Sequence, residues 1–169
     1  MDTERMRRVR RSPSRSNLLL VAALALFAGA CSSSSIYEYL TVAPAETQVW
    51  NDAMPGSKPQ CNAVLRLSLA NISEQPVTLS DPEAVIVDAP TLMPLRRYPA
   101  MVTVDEKRVR QITVQPGDTV EIAFRSPSYG LKPIDIAQYP KVRIAVRMQS
   151  SLDLPLLFRS PITELFETQ

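Results

Sequence analysis

Apolar and polar residues alternate most regularly between Cys61 and Asn71. Every second position in this stretch is apolar: Cys61, Ala63, Leu65, Leu67 and Leu69. The positions between them include Arg66 and Ser68. A period of two residues is typical of a β-strand that packs one face on a core and exposes the other. Residues 63–71 are therefore the clearest predicted strand, with Leu67 pointing inward.

The same alternation recurs at residues 119–125 and 142–148. The inward positions predicted there are Val120, Ile122, Phe124, Val142, Ile144, Val146 and Met148. Shorter apolar runs predict further strands at residues 37–42, 77–79, 84–87, 101–104, 109–114 and 154–158. Residues 162–166 form either an extra strand or a packed tail. About eight short strands without an amphipathic helix predict an all-β fold, as a sandwich or a barrel.

Prolines separate the predicted strands. The chain has 15 prolines and only 4 glycines. Proline lacks an amide hydrogen and fixes φ, so it suits loops and strand edges. Residues 43–59 and 88–99 are accordingly predicted as loops, and Asp81-Pro82 as a turn between two short strands. The charged residues 105–108 predict a hairpin turn.

A different pattern precedes the strands. Residues 18–30 form an apolar run of 13 residues, behind 6 arginines that outweigh Asp2 and Glu4. A bilayer-spanning helix needs about 20 residues, so this run is too short. A basic start, a short apolar run and small residues at its end indicate an export signal that is cleaved. Residues 1–30 are therefore predicted to be a signal peptide.

The end of this run, Ala28-Gly29-Ala30-Cys31, resembles the cleavage box of bacterial lipoproteins. That family usually has leucine where this chain has Ala28. The resemblance implies lipidation of Cys31, a tether over residues 31–36 that includes four serines, and a folded domain over residues 37–169. It also implies an envelope location, at the outer membrane facing the periplasm. An ordinary signal peptide followed by an incidental cysteine is the alternative.

Removal of the signal changes the charge balance. The chain has 19 basic and 17 acidic side chains, of which 6 and 2 lie in residues 1–30. The remainder has 13 basic and 15 acidic side chains, a formal charge of −2. Such a balance gives no indication of a nucleic acid partner.

The chain has few residues suited to catalysis. It contains no histidine, which is the commonest general base and metal ligand near neutral pH. Turn carboxylates such as Asp81 with Glu83 leave a glycosidase-like hydrolase as a remote alternative. Cys61 falls on an apolar face, where it is either a buried inert thiol or half of an intermolecular disulfide. We therefore predict no enzyme, no metal site and no small-molecule cofactor.

Three stretches resemble bacterial immunoglobulin-like or fibronectin-like modules. Residues 65–76 are similar to a strand that runs into an Asn-centred turn, and residues 112–124 to two strands around a Pro-Gly turn. Tyr139 stands where such modules place a tyrosine whose hydroxyl binds nearby backbone. The resemblance implies an immunoglobulin-like antiparallel β-sandwich of about seven to nine strands, and no activity.

The strongest candidate binding residues lie in residues 92–98, which read LMPLRRY. Arg96, Arg97 and Tyr98 are of types enriched at protein interfaces, and loops often carry binding residues. The alternative is that the apolar residues of this stretch cover one end of the sandwich while the arginines are only solvated.

Together these patterns predict a non-catalytic, membrane-anchored envelope lipoprotein that binds or helps to assemble an envelope protein partner. The alternative is an accessory subunit of a secretion or envelope-assembly machine, as the type VI secretion lipoprotein is. No motif in the sequence distinguishes these two functions.

Overall fold

The computed structural model describes residues 34–53 and 58–168, so the predicted signal peptide and Cys31 lie outside the described residues. The described chain begins with a 3-10 turn, Ile36–Glu38, closed by a capping box between Ser35 and Glu38. This turn was predicted to be part of a first strand at residues 37–42, which instead begins at Leu40. Within the described part, no helical segment has the length and apolarity that a membrane span requires.

Eleven strands follow in the described part of the chain. In chain order they are β1 Leu40–Asp52, β2 Gln60–Asn71, β3 Val77–Asp88, β4 Pro94–Pro99, β5 Met101–Val104, β6 Lys107–Val109, β7 Gln111–Val114, β8 Thr119–Arg125, β9 Lys141–Ser150, β10 Leu156–Arg159 and β11 Thr163–Thr168. The number exceeds the prediction partly because residues 109–114 do not form one strand. The chain changes layer at Arg110, so that β6 pairs with β5 and β7 with β3.

The strands form one curled sheet that folds into two layers. The first layer has the order β1-β2-β8-β5-β6 and the second has β4-β3-β9, with β7 beside β3 and β10 beside β9. The ladder β1-β2-β8-β5 reproduces the A, B, E and D strands of an immunoglobulin domain, and β4-β3-β9-β10 reproduces C′, C, F and G. The all-β, immunoglobulin-like sandwich is therefore confirmed. Strand β11 joins the layers, because it pairs in parallel with β1 and antiparallel with β9.

The core is made by the inward faces of these strands. All the apolar positions predicted to face inward on β2 are at most 1% exposed. On β8, Ile122 and Phe124 are buried, and on β9 the four predicted residues are buried. Alternation alone was therefore sufficient to assign the inner faces of β2, β8 and β9, as expected for antiparallel sheets with one solvated face.

Two stretches predicted as loops are strands. Residues 43–52 belong to β1, where the register shifts between Pro44 and Glu46, and residues 94–99 form β4. The prolines are accommodated because β4 is an edge strand that begins and ends with proline, and because β1 has no β11 partner opposite Pro44. Proline is tolerated where its missing amide hydrogen faces no partner strand.

The predicted turn at Asp81-Pro82 is an irregularity within β3 and does not separate two strands. Asp81 has a φ of 52°, and the pairing of β3 with β9 shifts between Ser80 and Glu83. A bulge of this kind bends a strand without ending it. A hairpin turn is present within the predicted residues 105–108, but it is shorter, because Lys107 and Arg108 belong to β6. Asp105 and Glu106 form it, both at positive φ, 48° and 64°, as in a two-residue type I′ turn.

Candidate binding surface

The three candidate residues of β4 have different environments because side chains alternate along a strand. Tyr98 pairs with the inward Ala84 and is only 3% exposed. Arg97 pairs with Val85 on the outer face and is exposed. The prediction that Arg96, Arg97 and Tyr98 lie in a loop is wrong, because the segment is strand β4. Arg97 is therefore available for an external contact, whereas Tyr98 is buried in the core.

Arg96 instead holds a segment of the same domain. Its Nε donates a hydrogen bond to the carbonyl of Lys132 at 2.8 Å, and its Nη2 donates to the carbonyl of Pro133. We call residues 128–134 the strap. Asn51 binds the far end of the strap through two hydrogen bonds with Ile134. Its Nδ2 donates to the carbonyl of Ile134 at 2.7 Å, and its Oδ1 accepts from the amide of Ile134 at 3.2 Å. The Arg96 guanidinium is therefore engaged within the fold.

The strap covers Cys61. The backbones of Cys61 and Leu131 exchange two hydrogen bonds, at 2.8 and 2.9 Å, and Cys61 is 0% exposed. Burial raises the pKa of the Cys61 thiol to about 12, while the nearby positive charge of Arg96 acts in the opposite direction. Burial, with Cys61 as a neighbour, also raises the pKa of Tyr98. This is the buried thiol expected from the strand pattern.

Release of the strap should make this thiol reactive. In a Cys31→Ala background, we expect Arg96→Ala to speed the reaction of Cys61 with a disulfide reagent about tenfold, because local opening limits access to a buried group. Ellman's reagent at pH 8 would measure this rate. Arg97→Ala is the control and should leave the rate unchanged; equal rates in both variants would show that Arg96 does not restrain the strap.

Arg97 belongs to a wider surface on the outer face of the β4-β3-β9-β10 layer. Strand register places Arg97, Val85, Ala145 and Arg159 in one row across four strands. The next row, two residues along the strands, contains Glu83, Arg147 and Leu157. These residues line a trough of about 410 Å³, which we call the arginine trough.

The positive charges of the trough are not neutralised by the fold. None of the guanidinium groups of Arg97, Arg147 and Arg159 forms a hydrogen bond or ion pair with another residue in the described ranges. The neighbouring Arg143 differs, because its Nη1 donates to the carbonyl of Ser160 at 3.0 Å. Among the residues that the structure describes, Glu83 is the one carboxylate that lines the trough. The trough therefore presents three available guanidinium groups around a single acid.

The floor of the trough is apolar. Val85 and Ala145 are half-buried between the arginines, and Phe158 is partly buried against the core. Leu157, at one side, is 58% exposed. In the sequence, Arg143 and Arg147 alternate with the inward residues of β9, which predicts that they face outward. The alternation missed the trough because only strand order shows which outward residues are neighbours.

A larger groove of about 610 Å³ lies where the layers separate beside β3. Asp81 and Glu83 line it together with Arg108 and Arg110, and Val102 is part of its wall. The carboxylates considered for a hydrolase are thus exposed beside basic residues. Among the residues that the structure describes, no group of three or more His, Cys, Asp or Glu side chains is placed to hold a metal ion.

Tyr139 does not make the contact that the immunoglobulin resemblance implies. Its backbone amide donates to the carbonyl of Asp135 at 2.8 Å, but its hydroxyl forms no hydrogen bond with the described residues. The Asn-centred turn of the same resemblance is present at Asn71, whose amide donates to the carbonyls of Gln75 and Val114.

Comparison with known proteins adds little to this picture. The sequence matches no protein-family model and no curated protein. Solved structures with a similar arrangement include a Northeast Structural Genomics Consortium target, 13% identical over 78% of this chain and 89% of that chain, with a TM-score of 0.45. A FixG-related protein from Vibrio parahaemolyticus is 11% identical over 75% and 94% of the chains, with a TM-score of 0.37. The putative ApaA protein from Bordetella pertussis is 14% identical over 77% and 94%, also with a TM-score of 0.37. Similarities this low identify neither a family nor a function.

Proposed function

We propose that this chain is a non-catalytic binding module held on the bacterial envelope by a lipid on Cys31. The arginine trough is the observation that carries the binding role. Arg97, Arg147 and Arg159 surround an apolar floor, and none of their guanidinium groups has a hydrogen bond or ion pair within the described residues. Arginine is enriched and most effective at interfaces where it meets carboxylates.

The position of the trough supports this role. It lies on strands of a sandwich whose core is buried beneath them, with Ala84, Ile144 and Val146 at most 3% exposed. Sites built on strands hold their side chains more rigidly than sites on loops. A partner would therefore meet a preformed surface.

Attachment to the membrane rests on the resemblance of residues 28–31 to a lipoprotein cleavage box. Two or more acyl chains are needed for stable attachment, since one chain binds only marginally. The proposed module would be placed at the outer membrane, facing the periplasm, with the serine tether between lipid and domain.

Labelling with palmitate tests the anchor. Cells that express the wild-type chain should incorporate labelled palmitate into it and retain it in the membrane fraction. Cys31→Ala should abolish the label, while Cys61→Ala should be labelled as the wild type is. Equal labelling of wild type and Cys31→Ala would exclude the anchor.

Crosslinking in intact cells tests the binding role. We expect the wild-type chain to crosslink to an envelope protein through the outer face of the β4-β3-β9-β10 layer. Recovery in a stoichiometric membrane complex would instead indicate the accessory-subunit function, and recovery of the uncrosslinked chain alone would contradict a binding module.

A further inference from the structure

We infer that the arginine trough binds an extended acidic segment of a partner protein, an inference that rests on the proposed binding function. The outermost charges of the trough are those of Arg97 and Arg159. Arg97 on β4 and Arg159 on β10 end one row, with β3 and β9 between them. Three strand spacings of about 4.8 Å separate their backbones by about 14 Å.

This spacing matches an extended chain. A β-strand rises about 3.4 Å per residue, so positions i and i+4 are also about 14 Å apart and point to the same side. A carboxylate at each of these positions would meet one arginine, and guanidinium groups bind carboxylates through two parallel hydrogen bonds. The separation therefore favours two acidic residues with three residues between them.

The apolar floor of the trough determines which residue the partner segment should have midway between its two acidic residues. Position i+2 of such a segment points to the same side and falls over Val85 and Ala145, beside the exposed Leu157. Burial of an apolar side chain there would remove more apolar surface from water, which favours binding. The expected motif is acidic, any residue, apolar, any residue, acidic.

A protein segment suits these charges better than an anionic lipid surface does. The chain after residue 30 has a formal charge of −2, so its attraction to a charged membrane is weak beyond the trough. Glu83 also lies next to Arg147 in the second row, where it would repel an array of phosphates. A peptide can avoid Glu83 or place a lysine beside it.

A designed peptide tests the inference. The probe is fluorescein-labelled STETLTETS, which has glutamate at i and i+4 and leucine at i+2, and the control peptide has glutamine in place of both glutamates. Fluorescence anisotropy would be measured with the full-length chain in a nonionic detergent. We expect the glutamate peptide to bind about tenfold more tightly than the control, and added salt to weaken its binding.

Matched variants locate the contact. Arg97→Glu with Arg159→Glu should weaken binding of the glutamate peptide about tenfold or more, because it reverses both end charges. Arg108→Glu with Arg110→Glu changes the net charge equally at the other groove and should leave binding unchanged. Arg97→Gln with Arg159→Gln is the milder pair, to be used if charge reversal prevents folding, and should also weaken binding.

The inference would be overturned if the two peptides bound equally, or if the two charge-reversal pairs lost the same amount of binding. It would also be overturned if the chain bound only vesicles of phosphatidylglycerol in phosphatidylcholine, in a way that depends on Arg97 and Arg159. Other results would contradict the proposed function without contradicting this inference, or the reverse. Absence of palmitate labelling would remove the anchor and leave the peptide result in place. If the wild type and the Arg97→Glu/Arg159→Glu variant crosslink to the same envelope protein, the trough is not the binding site, but the chain is still a binding module.

Discussion

Leu67→Ala should lower the free energy of unfolding by about 2–5 kcal/mol. Leu67 is 0% exposed and lies on β2, which pairs with β1 and β8 on its two sides. Truncation there removes buried methyl groups and leaves a cavity that a strand held on both edges cannot collapse to fill. Urea denaturation would measure the loss, with Trp50 fluorescence as the probe, since Trp50 is the sole tryptophan.

The neighbouring residue provides the control. Arg66 points outward, and its Nε lies 2.7 Å from Oε2 of Glu46, with side chains 47% and 39% exposed. An exposed ion pair of this kind contributes about 0–1 kcal/mol, so Arg66→Ala should change stability little. A comparable loss in Arg66→Ala and Leu67→Ala would mean that the face assignment of β2 is wrong.

Asn71→Ala is expected to cost about 2–4 kcal/mol, because several hydrogen bonds of about 1 kcal/mol each are lost and their backbone partners are left unsatisfied. Asn71 is 2% exposed. Its Nδ2 donates to the carbonyls of Gln75 and Val114 at 2.8 and 2.9 Å, and its Oδ1 accepts from the amide and hydroxyl of Ser73 at 2.9 and 2.7 Å. The side chain thus closes the turn after β2 and ties it to β7.

Asn62→Ala, on the same strand, is the matched control for this second variant. The Asn62 side chain is partly exposed and forms no hydrogen bond with the described residues, so its removal should change the urea midpoint little. If Asn71→Ala unfolds at the same urea concentration as Asn62→Ala, the turn is held by other contacts.

The sequence predicted the all-β class and the inner faces of β2, β8 and β9, because strict alternation is a local signal that burial imposes on each strand separately. It failed for β1 and β4, where prolines indicated loops. The prolines stand at positions where no hydrogen bond to a neighbouring strand is needed. Whether such a bond is needed depends on whether a neighbouring strand is present. That information is absent from a local pattern.

The candidate site illustrates the same limit. Arg97 was found because arginine beside tyrosine is typical of interfaces, but Tyr98 belongs to the core, as alternation along β4 would have required. Arg147 and Arg159 join Arg97 only through the pairing of β3 with β9 and of β9 with β10. Outward orientation can be predicted from sequence, whereas cross-strand neighbours require the topology.

The parallel pairing of β11 with β1 has a mechanical consequence. If lipid holds the chain at its start while a partner holds the opposite layer, tension enters the fold through β1. Strand β1 is bonded along its length to β2 and, over Val49–Asp52, to β11. A pull along the strand axis loads these transverse hydrogen bonds in shear, so they must break together and cannot be unzipped one by one. The domain should therefore stay folded under a load that would peel apart a terminal hairpin.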